Sequence, residues 1–254
     1  LALALMLVAL IVRGVGFEFR SKDVNPTWRK VWDWLIFAGS LIPALLWGVA
    51  TANLLKGLPI DGSFTYVGSF WDLLNPYSLL NGLAFVALFT FHGAIFLSLK
   101  IEGEIKDRAV AAAKQLWIPA LVLVLAAGGV GFFGTDMLDR LGFLSVLYPL
   151  IAGAGVFAAG LYLRKGQSGS AFLGTLVGIA FTTITLFRGL YPRVMVSSLD
   201  PEWSLTITNA SSSEYTLKVM SIVALIFVPI VLLYQGWTYW TFRKRISEDT
   251  PLEY

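Results

Sequence analysis

The chain has 254 residues, 57% of them hydrophobic and only 14% charged, with a mean hydropathy of +0.73. A water-soluble domain is nearer half apolar and a quarter charged, so these residues cannot clothe a wet globular surface and instead specify an all-α polytopic membrane protein, a helical bundle in the lipid bilayer. Cysteine is absent, which excludes disulfides, thiolate metal centres and cysteine catalysis, and the formal charge of +3 fits basic loops at an anionic leaflet better than nucleic-acid binding.

The first apolar run, Leu1–Val12, stops at Arg13, short of the roughly 20 residues that span a bilayer. It has neither the basic start nor the small-residue cleavage site of a signal peptide. The chain is therefore expected to begin inside a helix, as a fragment or processed chain lacking upstream segments. Six further runs follow at about Trp32–Leu55, Leu79–Leu99, Gln115–Gly134, Phe143–Leu163, Ala171–Phe187 and Val219–Trp240. Continuous apolarity without alternation argues for helices over a membrane β-barrel. The expectation is one integral-membrane domain over residues 1–254 with seven helices, the first truncated, and a single long external loop at 188–218.

Basic residues alternate from loop to loop. Arg13, Arg20, Lys22, Arg29 and Lys30 fall on one side with Lys100, Lys106, Arg108 and Lys114, then Arg164 and Lys165, then Arg243, Lys244 and Arg245. Only Lys56, Arg140, Arg188, Arg193 and Lys218 fall on the other. The positive-inside rule makes the first side cytoplasmic and leaves Tyr254 in the cytoplasm. Asn25-Pro26 and Asn75-Pro76 each set a capping side chain before a proline at the first helical position. Ser211 and Glu214 have capping-box spacing at the head of the last helix. Pro43, Pro119, Pro149 and Pro229 fall in or near helices, where kinks are expected.

His92, the only histidine, lies about 12 Å from the inner end of its helix, eight residues before Lys100. An imidazole at that depth is a haem ligand, a proton or polar relay, or a neutral hydrogen-bonded packing group. Haem ligation is disfavoured, because a bis-histidine site needs a second histidine and a His/Met site must draw on four methionines. No Asp or Glu occurs within the bodies of the seven runs, which disfavours a self-contained ion-coupled carrier. No P-loop, H-E-x-x-H or Ser-His-Asp set is present, so no catalytic residue is assigned. Arg13 and Glu18 stand at the inner end of the first run, either snorkelling to the interface or facing another subunit in a proton or propionate-stabilising network.

The stretch Arg13-Gly-Val-Gly-Phe-Glu-Phe-Arg20-Ser-Lys22, followed by Trp28-Arg and Trp32-Asp33-Trp34, resembles subunit II of the cytochrome bd-type quinol oxidases. Three later stretches are similar to the same subunit in the same order: Leu74-Asn75-Pro76-Tyr77-Ser-Leu-Leu-Asn-Gly82; Tyr191-Pro192-Arg193 with Leu205 to Ser213; and Thr216-Leu217 through Pro229, Tyr234, Trp237 and Trp240. The resemblance implies a fold of about nine helices, two more than this chain holds. It further implies a plasma-membrane complex of a prokaryote that oxidises quinol and reduces dioxygen to water. Haem b and haem d belong, on this resemblance, to a homologous subunit I, with this chain ligating none. Subunit II then supplies structural support, part of a proton route and access for dioxygen. Small accessory membrane subunits are further partners of such a complex. Proton entry maps onto Glu18 and Lys22, which share a helix face if the first helix runs past Arg20. Two other classes stay open, a secondary transporter or permease subunit and a structural membrane scaffold.

Overall fold

The computed structural model describes residues 1–247; the expected cytoplasmic position of Tyr254 lies outside them. Seven helices are long and apolar enough to cross a membrane. They are α1 (Ala2–Phe19), α2 (Pro26–Lys56), α3 (Pro76–Lys100), α4 (Glu104–Gly134), α6 (Leu144–Arg164), α7 (Ser168–Leu190) and α8 (Glu214–Thr241), with a short α5 (Met137–Leu141) between α4 and α6. Each of the seven apolar runs became one helix. Most bounds moved outward, because a helix continues past the hydrocarbon edge wherever capping and propensity allow it. α1 does not stop at Arg13 but continues six residues to Phe19. α4 starts at Glu104, eleven residues before its apolar run, and its 31 residues make a rod of about 46 Å against roughly 30 Å of hydrocarbon.

The two Asn-Pro caps form as expected: Asn25 accepts from the Thr27 amide at 2.9 Å and Asn75 from the Ser78 amide at 3.2 Å. The expected Ser211–Glu214 capping box does not form. Ser213 is the cap of α8, accepting from the Thr216 amide at 3.4 Å, which puts Glu214 at the first helical position. A capping box does appear at Ser69 and Asp72, on a 3₁₀ turn over Phe70–Leu73. All four prolines singled out in the sequence lie inside helices.

The helices alternate in direction, so the molecule has a basic end, carrying Arg20, Lys100, Arg164 and Arg243, and a loop end. The loop end is more organised than a single external loop. Residues 57–75 and 191–213 bind each other: the Leu58 amide donates to the Val196 carbonyl at 2.8 Å and the Ser198 amide to the Leu58 carbonyl at 2.8 Å. A small antiparallel pair, β1 (Arg193–Met195) and β2 (Leu205–Thr206), lies within the second segment. Helices α3, α4, α6 and α7 enclose a packed core toward the basic end. Phe91, Ile95, Ala113, Trp117, Ala120, Val156 and Leu163 are all buried there. α6 and α7 touch through glycines, where a Cβ on Gly155 would stand 2.7 Å from the Gly174 carbonyl oxygen. Helix α8 buries no residue within this chain. It is tied down just beyond its C-terminus, where the Lys100 ammonium donates to the Phe242 carbonyl and the Ile246 amide to the Lys100 carbonyl, each at 2.9 Å.

Candidate functional site

The structure does not join the two residues that the resemblance marks for proton entry. α1 ends at Phe19, so Glu18 and Lys22 do not share a helix face. Lys22 sits in the turn that follows, its amide donating to the Phe19 carbonyl at 3.2 Å. Arg20 instead pairs with Asp33, at 2.5 Å from Nε to Oδ1, with a second hydrogen bond of 3.3 Å to Oδ2. Glu18 and Lys22 remain exposed a few residues away. Arg13 is exposed on α1 about 9 Å from its basic end, its guanidinium 6.0 Å from the Phe17 ring.

His92 is half-buried between α3 and α7. Its Nδ1 lies 2.7 Å from the Thr175 hydroxyl, and its ring stacks on Phe172 with centroids 4.8 Å apart. The Thr175 hydroxyl itself donates to the Phe172 carbonyl at 2.8 Å. A hydroxyl has one proton, so the imidazole must be the donor and carry its proton on Nδ1. Nε2 then has a free lone pair.

On the other side of Phe89, toward the loop end, the bundle is hollow. A cavity of about 340 Å³ is bounded by α2, α3, α4, α6 and α7 and roofed by Met137 of α5. Its walls are mostly apolar: Ala84, Phe85, Leu88, Val124, Ala127 and Leu186 among them. Trp47, Phe89 and Phe187 line it and are also exposed on the outside of the bundle, so it opens sideways rather than along its axis. Two polar groups of α3 look into it from consecutive turns. Asn81 donates both amide protons, to the Gly48 carbonyl at 2.9 Å and the Thr51 hydroxyl at 3.1 Å, and its side-chain carbonyl oxygen has no hydrogen-bond partner among the described residues. Tyr77 presents a hydroxyl with no hydrogen-bond partner among the described residues.

Above the cavity, toward the loops, a polar lock closes the axis. The Asn53 amide donates to the Leu73 carbonyl at 2.8 Å, and Asn75 donates to Asn53 Oδ1 at 2.9 Å. Met137 is held in the roof because Asp136 pairs with Arg193 at 2.7 Å and Arg140 donates to the Tyr191 carbonyl at 2.6 Å.

The family model for cytochrome bd terminal oxidase subunit II matches residues 1–242. The chain belongs to that family. It is 40% identical over 250 residues to the cytochrome bd ubiquinol oxidase subunit 2 of Bacillus subtilis, covering 98% of this chain and 74% of that one. It is 34% identical to the cytochrome bd-I ubiquinol oxidase subunit 2 of Escherichia coli K12, with the same coverage. Its fold is similar to that of the bd oxidase from Geobacillus thermodenitrificans, at a TM-score of 0.69 and 17% identity, covering 94% of this chain and 73% of that chain. The chain is thus a subunit of a membrane-embedded oxidoreductase, and nothing in these likenesses supports the transporter reading.

For a bd oxidase subunit the question is whether these residues suit haem, which the family places in the complex. They do not supply an axial pair. His92 keeps a free Nε2, but it is the only histidine of the chain, and Met137, at the loop-end roof of a cavity that His92 does not line, is not placed to act as its axial partner. The cavity residues that sequence reasoning passed over carried a signal all the same. Tyr77 and Asn81 are four apart in the quoted Asn-Pro-Tyr-Ser-Leu-Leu-Asn stretch, hence on one face of a helix whose start was legible. The Arg193–Asp136 pair, 57 residues apart, carried none.

Proposed function

We propose that this chain is the haem-free second subunit of a respiratory quinol:oxygen oxidoreductase. It works beside a homologous subunit I that holds haems b and d and oxidises the quinol, in a prokaryotic plasma membrane with the basic end in the cytoplasm. The partner covers what this chain leaves bare. α8 buries nothing at home, and a guanidinium such as Arg13, set into the membrane, costs about 2.5–3.5 kcal/mol on insertion scales unless an acidic group meets it.

The observation that carries the functional reading is the cavity. Dioxygen is small, uncharged and favours hydrocarbon over water, and a largely apolar chamber opening sideways between membrane helices suits it. In this reading the chain collects dioxygen from the bilayer for the partner. Glu18 and Lys22, exposed at the basic end beside the Arg20–Asp33 pair, gather protons from the cytoplasm.

Oxygen uptake by the assembled oxidase at saturating quinol tests both parts. A Cβ on Gly128, a cavity-lining residue, meets only the Pro149 Cβ at 3.7 Å, so Gly128→Leu has room to grow into the chamber. It is expected to raise KM for dioxygen severalfold with haem content unchanged; a wild-type KM overturns the dioxygen role. Glu18→Gln is expected to lower turnover, with Glu18→Asp retaining part of it. Full turnover in both Glu18→Gln and Lys22→Met overturns the proton entrance and leaves ordinary interfacial charge.

A further inference from the structure

The last membrane helix is held by its ends rather than by its sides. α8 has 28 residues, a length of about 42 Å, yet buries none of them within this chain. At the loop end it is reached through Ser211, Ser212 and Ser213, all exposed. At the basic end it is clasped. The Lys100 ammonium donates to the Phe242 carbonyl and the Ile246 amide to the Lys100 carbonyl, each at 2.9 Å, while the Glu102 amide donates to the Ile246 carbonyl at 3.0 Å. Ile101 and Ile246 thereby lie side by side as a parallel bridge. Arg245 stands 3.7 Å from Glu102 across the same junction.

Lys100 therefore does more than add to the basic side. It is the last residue of α3, and Phe242 is the C-cap of α8, so two helices end beside one ammonium. A cation is favourable there twice over, since each end presents unpaired carbonyls and the negative pole of a helix dipole. The backbone carbonyl of the same residue is used as well. Side chain and main chain together fix the height and the turn of α8 against α3, which is itself seated in the core through Phe91 and Ile95.

We propose that this clasp is an assembly device, which sets α8 in register with the core so that its bare surface meets the membrane helices of the partner subunit. This rests on the reading of a homologous partner beside the chain. Lipid is the other occupant open to an apolar helix, and Gln235 decides against it. About 9 Å from the inner end of α8, its amide has no hydrogen-bond partner among the described residues, and a neighbouring helix can satisfy it where acyl chains cannot. A helix tethered at one end would have to give up its swinging freedom on docking. The clasp removes that freedom beforehand.

The intact oxidase provides the test. Ile246→Pro deletes one donor of the clasp and changes no charge, so the topogenic bias is untouched. It is expected to speed hydrogen exchange of the peptide spanning 240–247, to lower the yield of haem-bearing complex severalfold, and to lower the temperature at which the subunits separate. Unchanged exchange overturns the clasp. Faster exchange with wild-type yield and separation temperature overturns its part in assembly and leaves α8 facing lipid. If Ile246→Pro fails to assemble, the double variant Ile101→Cys/Ile246→Cys decides, in a chain with no other cysteine. Bridged strands lie about 4.8 Å apart, within reach of a disulfide, and diamide takes up the two protons and two electrons of the thiols. The oxidised complex should separate at a higher temperature than the same complex reduced with dithiothreitol, with the wild type treated alike showing no difference. A disulfide that does not form in the assembled oxidase, or that leaves the separation temperature where it was, overturns the proposal. The partner reading fails by a different result, a wild-type chain that purifies without any haem-bearing subunit.

Discussion

The two halves of the helical bundle differ in what fills them. Toward the basic end, α4 and α6 meet around Trp117, whose indole donates to the Val156 carbonyl at 3.2 Å and lies under the Arg164 guanidinium at 4.5 Å. Toward the loop end the same helices diverge around a mostly apolar chamber of about 340 Å³, into which Tyr77 and Asn81 of α3 look. A membrane bundle has no hydrophobic drive between helices, so close packing of small residues supplies cohesion. Half of this bundle provides that cohesion and the other half is free to be hollow. That division assigns stability to one end and ligand traffic to the other.

The sharpest way to break the comparison is to place one substitution in both halves. A Cβ on Gly160 would run into the Trp117 indole, which is fixed from both sides, so Gly160→Leu has nowhere to go. Overpacking of this kind costs about 1–3 kcal/mol or more. The expected result is loss of assembled, haem-bearing complex, whereas Gly128→Leu in the chamber assembles at wild-type yield. Equal yields for the two variants would remove the distinction between a cohesive and a hollow half. A smaller effect belongs to the chamber wall. Asn81→Leu removes two hydrogen bonds, to the Gly48 carbonyl and the Thr51 hydroxyl, which keep their 3.0 Å bond to each other, so the loss is that of ordinary hydrogen bonds at about 0.5–1.5 kcal/mol each. A lowered unfolding temperature with assembly intact is expected, read by thermal loss of the haem bands.

The helices were more legible in the sequence than the chamber between them, for physical reasons. Apolar runs of membrane length announce helices, and Asn25-Pro26 and Asn75-Pro76 fix where two of them start, because a cap and a proline act locally. Arg13 ends the first apolar run, because one charge interrupts it. The backbone has no such rule, and α1 continues to Phe19. That continuation still stops short of Lys22, so the Glu18–Lys22 pairing dissolves while Arg20 finds Asp33, 13 residues away. The chamber could not be read at all. It arises where five helices fail to touch, and no single segment encodes a gap. Even so, the residues that look into it, Tyr77 and Asn81, stood in a stretch already singled out.

The last contrast concerns how each end answers to acid. At the loop end, Asp61 organises the tip of the 57–75 segment. Its Oδ1 accepts from the Ser63 hydroxyl at 2.7 Å and from the Ser63 and Thr65 amides at 3.0 Å each. The Ser63 hydroxyl bond, with the Thr65 amide next, favours the ionised form and lowers the Asp61 pKa below the ordinary carboxylate value. A group whose folded pKa is depressed lends stability that is complete above its unfolded pKa, about 3.9, and is lost as pH falls through the folded value. Asp61 lies in a surface turn, so the effect is local to that turn, which holds Phe64 at a φ of +59°. Hydrogen exchange of the peptide spanning 61–66, corrected for intrinsic rates, should be protected at neutral pH and lose that protection below about pH 4. The peptide carrying Lys100 to Lys106 at the basic end, tied by backbone bonds between Lys100, Glu102 and Ile246, should keep its protection over the same range. Asp61→Asn retains an acceptor but cannot ionise, so its exchange should not change with pH. A pH step that survives in Asp61→Asn would show that another group organises the turn.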